Sequence, residues 1–320
     1  MTSVPVIFFH RGLQKYLQCS VKAAQDAGNE VYLLGDHTNE HLVKPTHFLN
    51  AEKLKSKEYA IFKSRYKHMS TNSEEFEVRC FERYFRVFEY MKFHNLDKVV
   101  MLDSDVLTFV KFDTERTILE SDISAEWQSE QLNYKWSVNP SVFAISIEAM
   151  RDFIDFLCDA YVNPSSLEAL KQKWKYHQEN NIPGGICDMT LLYIWINDGN
   201  TKAKFRINNN AEIHDDAVYD LNLQVSANSE LNQFKFDRII RLKIVKFVHH
   251  QPYFLCQSDG RLVQAKTLHF LGGAKTTLMS YYFQRSYITR LFSRYRLRIF
   301  SSPKLAGWPL VESIRKVLTK

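Results

Sequence analysis

Short apolar runs alternate with amphipathic stretches over roughly the first hundred residues. Val4–His10 (VPVIFFH) is apolar almost throughout, the pattern of a parallel strand buried on both faces. Leu13, Leu17, Val21 and Ala24 then recur at helical spacing, and Gly28 is placed to end that helix. Glu30–Asp36 (EVYLLGD) reads as a second strand, completing a β-α-β unit. Further on, Ser73 followed by Glu74 and Glu75 predicts an N-cap with an acidic first turn. The long helix it starts carries Phe76, Cys80, Tyr84, Val87 and Met91 as its apolar stripe and leads into Lys98–Phe109 (KVVMLDSDVLTF).

Strand and helix in alternation predict an α/β fold with a mixed, mostly parallel sheet flanked by helices. Ser121–Trp127 and Ser137–Ser146 precede a helix over 147–162, a polar helix over 163–181, and a glycine turn with an apolar helix over 182–200. From about 205 to 268 the segments shorten and alternate, which predicts antiparallel strands or hairpins late in the sheet. No repeat or low-complexity linker divides the chain. The partition is a domain over 1–275 and a helical, basic and aromatic-rich extension over 276–320.

Composition narrows the class. With 320 residues, 45% of them hydrophobic and 24% charged, the chain has room for a sizeable core. The net charge of +6 is modest, and no nucleic-acid motif accompanies it, so nucleic acid is not an expected partner. No apolar run approaches the ~18 residues of a membrane span, and MTSVPVIFFHRG lacks the pattern of a secretory leader. Five cysteines without a C-x-x-C pair fit reduced, mostly buried thiols in a cytoplasmic protein. The extension interleaves aromatics with Arg285, Arg290, Arg294, Arg296 and Arg298, the pattern of peripheral contact between 281–320 and an anionic inner membrane face. A pair of packed helices with a solvated basic face is the alternative.

The candidate chemistry begins where an apolar strand ends in Asp103 and Asp105. Ligands of open α/β sheets bind at the carboxyl ends of the strands. Two carboxylates two apart on extended backbone point the same way and repel unless a cation lies between them. Mg²⁺ or Mn²⁺ held with the phosphate oxygens of a substrate answers that need. Thr267–Lys275 (TLHFLGGAK) supplies the complement. His269 ends an apolar segment, Gly272 and Gly273 permit a tight turn, and Lys275 adds positive charge. The imidazole tilts the expected metal toward Mn²⁺.

Taken in order, MLDSDVL, NPSVFAIS, GGICDMTLL and LHFLGGAK resemble the GT-A class of nucleotide-sugar glycosyltransferases, nearest the branch of glycogenin and the bacterial lipopolysaccharide galactosyltransferases. The resemblance spans roughly residues 4–275. It implies a Rossmann-like GT-A fold and transfer of a sugar from a nucleotide-diphosphate donor, most simply a UDP-sugar, to a saccharide, lipid-linked or envelope acceptor. It implies Asp103, Asp105 and His269 as metal ligands, with Ser104 between the aspartates, and Gly272 and Lys275 on the diphosphate. Phe9, His10, Arg11 and Gly12 would border the base and ribose, and Arg83 and Asn139 would meet the donor. Asp188 would orient the donor sugar or face the reacting carbon. If configuration is retained, the leaving phosphate takes the acceptor's proton; if it inverts, Asp188 or Glu126 is the candidate base. Asn139-Pro140-Ser141, Asp188-Met189 and Thr276-Thr277 differ from that branch's usual Asn-Ser-Gly, Asp-Gln and Pro-Trp, and leave the sugar and the stereochemistry open.

Two other readings compete. MLDSDVLTF also resembles the nucleophile strand of haloacid-dehalogenase-type phosphatases, with His214–Asp220 (HDDAVYD) mimicking their later acidic motif, although Val106 stands where that motif has glycine. The other is a glycosyltransferase-like fold that binds a nucleotide or membrane without turnover.

Overall fold

The computed structural model describes residues 3–127, 134–224, 233–237 and 241–284. The chain runs β1 (Val6–Phe9), α1 (Lys15–Asp26), β2 (Val31–Gly35), β3 (Phe48–Asn50), α2 (Lys57–Arg65), α3 (Glu74–His94), β4 (Lys98–Leu102), β5 (Val106–Thr108), α4 (Arg116–Glu120), β6 (Ile123–Glu126) and β7 (Asn139–Ser146). It continues through α5 (Ile147–Asp159), α6 (Pro164–Glu179), α7 (Asp188–Asn197), α8 (Gly199–Lys204) and β8 (Ile207–Asn209). Short strands follow: β9 (Ala217–Val218), β10 (Phe236–Asp237), β11 (Leu242–Lys243), β12 (Val245–Val248), β13 (Gln251–Leu255), β14 (Leu262–Ala265) and β15 (Thr267–His269). Then come α9 (Gly273–Thr277) and α10 (Met279–Phe283).

The main sheet has the order β3-β2-β1-β4-β7-β6-β8. β7 runs antiparallel to both β4 and β6, and the other pairings are parallel. The fold is therefore α/β with a mixed, mostly parallel sheet flanked by helices, as the alternation of elements predicts. Reversal of β7 has a local consequence. Its first residue, Asn139, pairs with Glu126 at the end of β6, near the carboxyl end of β4.

Side-chain alternation along the strands divides the core. Ile7, Val99, Met101, Phe143 and Ile145 face α3, α5 and α7, packing with Tyr84, Phe85, Phe153 and Trp195. Val6, Phe8, Val100, Leu102, Val142 and Ala144 face the other way, toward Leu17, Val21 and Ala24 of α1. α3 begins as its sequence predicts, with the Ser73 side chain accepting the Phe76 amide hydrogen, and ends on Asn95 in left-handed conformation. Its stripe differs in one place. Phe76 is 56% exposed, because Glu77 takes the inward position of the first turn and accepts hydrogen bonds from Ser70 Oγ and Asn72 Nδ2.

The late hairpins are a second correction. Among the described strands after 205 only β8 joins the main sheet; β12, β13, β14 and β9 form a separate four-stranded sheet. The alternating burial of β13 suits a sheet with one wet face. Its dry face forms a third core with Cys19 and Ala23 of α1 and with Leu278, Met279 and Tyr282. Of the extension over 276–320, residues 276–284 are described and contribute to this core. The basic segment from 285 lies outside the described residues. All five cysteines are free. No described helix is long and apolar enough to cross a membrane.

Candidate active site

Asp103 follows β4 directly, and its amide donates to Ser141 O of β7, continuing that pairing by one residue. The backbone then turns, with Val106 N donating to Asp103 O. The two aspartates therefore sit on a turn, not on extended backbone. Their convergence comes from the turn, because β5 must leave the main sheet to pair with β15. In that antiparallel pair Val106 lies opposite His269, and Phe270 N donates to Asp105 O. A three-residue ladder thus delivers His269 to the aspartates.

Ligand atoms of Asp103, Asp105 and His269 lie within 4.8 Å of one another. His269 Nε2 is 3.5 Å from Asp105 Oδ1, and Nδ1 is 2.8 Å from Leu221 O. A proton on Nδ1 donated to that carbonyl leaves Nε2 to face the carboxylates, the arrangement a metal-binding histidine requires. Burial opposes the imidazolium, but the Asp105 carboxylate hydrogen-bonded to it outweighs burial and carries its pKa up to about 9. Burial also pushes Asp105 up, yet His269 and Lys275 together hold it below the usual carboxylate range. Asp103 goes the other way, raised by burial against the pull of Arg83 and further by Asp105. A shared cation would relieve that contest.

Around this trio the chain gathers positive charge. Lys275 Nζ donates to Asp105 Oδ2 at 3.2 Å and lies 5.2 Å from the ring centre of Tyr16. Arg83 donates to Asp103 Oδ1 at 2.6 Å and also to Asp188 Oδ2, which accepts from Tyr84 Oη at 3.0 Å. Arg83 is therefore an internal bridge and not a solvated helix charge. Asp188 is the first residue of α7 and also accepts from Met189 N.

Asn139 and Glu126 form the wall behind His269. Asn139 Nδ2 donates to Glu126 Oε2 at 3.2 Å and to Leu221 O at 3.1 Å. Glu126 Oε2 also accepts from Ser141 Oγ, and Glu126 is 0% exposed.

The end of β1 contributes less uniformly. His10 packs edge-on against Tyr16, the ring beneath Lys275, and burial lowers its pKa despite its hydrogen bond to Gln14. Gly12 N donates to Asp36 Oδ2, and Asn39 Nδ2 donates to His10 O and Gly12 O, so this loop is pinned from β2. Phe9 packs against the main core, and Arg11 pairs with Glu82 at 3.1 Å beside a cavity of about 490 Å³ between α2 and α3. Ser104 is half-buried in the turn. Gly272 has φ 53° and ψ −132°, a region side chains disfavour, with open space where a Cβ would stand.

Four participants escape sequence reading. Tyr16 and Tyr84 look like ordinary helix apolar positions, and their polar or cationic contacts depend on tertiary placement. Leu221 acts through its carbonyl and leaves no side-chain signal. Asp36 directly follows the second strand, the one visible hint. The acidic run His214–Asp220 does not supply a phosphatase motif. Asp215 and Asp216 sit in an exposed turn, Asp216 paired with Arg261, and Asp220 is paired with Lys243.

No family model and no curated protein sequence matches the chain. Solved structures of glycosyltransferases resemble it loosely. Mouse xyloside xylosyltransferase 1 is 11% identical over 71% of this chain and 89% of its own, with a TM-score of 0.46. The galactosyltransferase LgtC in complex with donor and acceptor sugar analogues is 16% identical over 59% and 69%, with a TM-score of 0.35. The glycosyltransferase GlyE of Streptococcus pneumoniae is 16% identical over 65% and 45%, with a TM-score of 0.32. At these values the weight of a functional reading falls on the residues of the site.

Proposed function

We propose that the protein is a metal-dependent glycosyltransferase, moving a sugar from a nucleotide-diphosphate donor to a glycan or lipid-linked acceptor. The observation that carries this is the meeting of Asp103, Asp105 and His269 within 4.8 Å at the carboxyl edge of the sheet, with Lys275 on Asp105. Two carboxylates and one imidazole nitrogen fit Mn²⁺, or Mg²⁺ with less help from His269. A bound cation would neutralise charge on the departing diphosphate.

The chain's own groups do the rest. Lys275, now satisfied by Asp105, is placed to exchange that partner for a phosphate oxygen. Gly272 lets the backbone turn beside it. Arg83 holds Asp103 and Asp188 in a fixed relation, so metal ligand and donor-facing carboxylate move together. The pinned loop from His10 to Gly12 borders the base and ribose, and a UDP-sugar is the donor the sequence resemblance favours. Asn139, engaged with Glu126 and Leu221 O, supports the wall against which the sugar lies.

Asp188 and Glu126 are 3% and 0% exposed and both accept hydrogen bonds from neighbours. Neither is a free base facing an acceptor. That supports retention, with the leaving phosphate accepting the acceptor's proton. The segment 276–320 is proposed as an appended extension, and 281–320 within it as the part that approaches an anionic membrane surface.

The test is thermal stability against a panel of nucleoside diphosphates with and without Mn²⁺. A ligand at about 100 times its Kd stabilises the folded state by about 2.7 kcal/mol. One nucleotide should raise Tm only with Mn²⁺, and Asp105→Asn should abolish the shift. No shift with any nucleotide, together with hydrolysis of a generic phosphate ester, would overturn the proposal.

A further inference from the structure

We propose that Asp220, locked by Lys243, is a positioning residue that aims His269, an inference that rests on the metal site proposed above. The Asp220 and Lys243 side chains are 0% and 3% exposed and meet at 2.8 Å. The ammonium also lies 5.4 Å and 5.1 Å from the ring centres of Phe234 and Phe254. The second carboxylate oxygen, Oδ2, accepts the His269 amide hydrogen at 3.0 Å. The next carbonyl, Leu221 O, accepts from His269 Nδ1. One dipeptide therefore grips His269 twice, once on its main chain and once on its ring. Thr267 Oγ1 in turn accepts from Asp220 N at 3.0 Å, and Leu223 N donates to His269 O at 2.9 Å.

A buried ion pair of this kind is weak as a source of stability, since apolar groups of similar volume do as well. Its geometric effect is specific. Asp220 fixes where the His269 backbone sits, Leu221 fixes the ring's rotation and tautomer, and together they set where Nε2 points. Lys243, from the segment that borders the separate small sheet, anchors the grip. Outer partners of metal ligands of this sort are commonly worth about 10- to 100-fold in metal affinity.

The experiment is Mn²⁺ titration of the full chain by electron paramagnetic resonance, with Tm measured in parallel. Asp220→Asn should raise the Mn²⁺ Kd by about tenfold. Met150→Ala removes buried volume at the start of α5, in the other core and away from the Asp220 and Lys243 contacts; it should lower Tm and leave the Mn²⁺ Kd unchanged. Should Asp220→Asn not fold, Thr267→Val loosens Asp220 from its other side and should weaken Mn²⁺ in the same direction. Mn²⁺ binding in the folded Asp220 or Thr267 variant equal to wild type, while Asp105→Asn loses it, overturns the positioning role and leaves the metal site standing. Absence of Mn²⁺ binding in wild type overturns both.

Discussion

Arg83 Nη1 stands 2.6 Å from Asp103 Oδ1, and the same guanidinium reaches Asp188 with its other terminal nitrogen. A planar fork spans two carboxylates with separate nitrogens at fixed spacing, whereas an ammonium offers a single donor atom. Arg83→Lys should keep the charge and lose the span, lowering kcat by at least about tenfold at matched Mn²⁺. Arg83→Met leaves two half-buried or buried carboxylates uncompensated and should cost about 3–5 kcal/mol in urea unfolding, the range for breaking buried pairs. Wild-type turnover in Arg83→Lys would show that the span has no bearing on the chemistry.

Metal binding should depend on pH through His269. Its folded pKa is raised from 6.5 to about 9, so in the metal-free protein its contribution to stability is complete below pH 6.5. That contribution fades as pH rises through about 9. A ligating imidazole must shed its second proton, so apparent Mn²⁺ affinity should rise with pH, by up to about tenfold per unit below the folded pKa. Titration calorimetry in buffers of different ionisation enthalpy would count the proton released. A flat Mn²⁺ affinity from pH 6.5 to 8.5 would exclude His269 as a ligand.

Gly272→Ala tests the turn beside Lys275. With φ 53° and ψ −132° the substitution meets no neighbour, so its cost is backbone strain of about 1–3 kcal/mol. Tm should fall, and the Mn²⁺-dependent nucleotide shift should shrink more than Tm alone explains. Unaltered nucleotide affinity would detach this turn from the diphosphate.

Glu126 separates a base from a wall. Removing a general base lowers rate by about 10²–10⁴-fold. Glu126→Gln keeps an acceptor for Ser141 Oγ and Asn139 Nδ2, so turnover should stay well above that loss while stability falls. Steady-state rates beside a melting curve decide, and a loss near 10³-fold without unfolding would restore the base role.

Much of this arrangement is legible in the chain. β1, α1, β2, α3 and β4 announce themselves through apolar runs and capping residues, and the pairing of Asp-x-Asp with His269 and Lys275 is written in motif. What is not legible depends on long-range placement. Alternation along Val245–Ala265 gives strands but not the sheet they join. The turn at Asp103–Asp105 follows from β5 pairing with β15, which no local pattern states. The resemblance singles out Arg83, but its bridge from Asp103 to Asp188 depends on a distant segment. Asp220 lies in a run that suggests a different enzyme.

The ladder between β5 and β15 also bears on folding order. Asp105 and His269 come from distant parts of the chain, and contacts of such wide sequence separation form late and slowly. A chain still lacking residues 262–284 could assemble most of its main sheet and present both aspartates, yet hold no third ligand. On the reading proposed above, the three candidate ligands would then meet only after the chain has reached β15 and the ladder has formed.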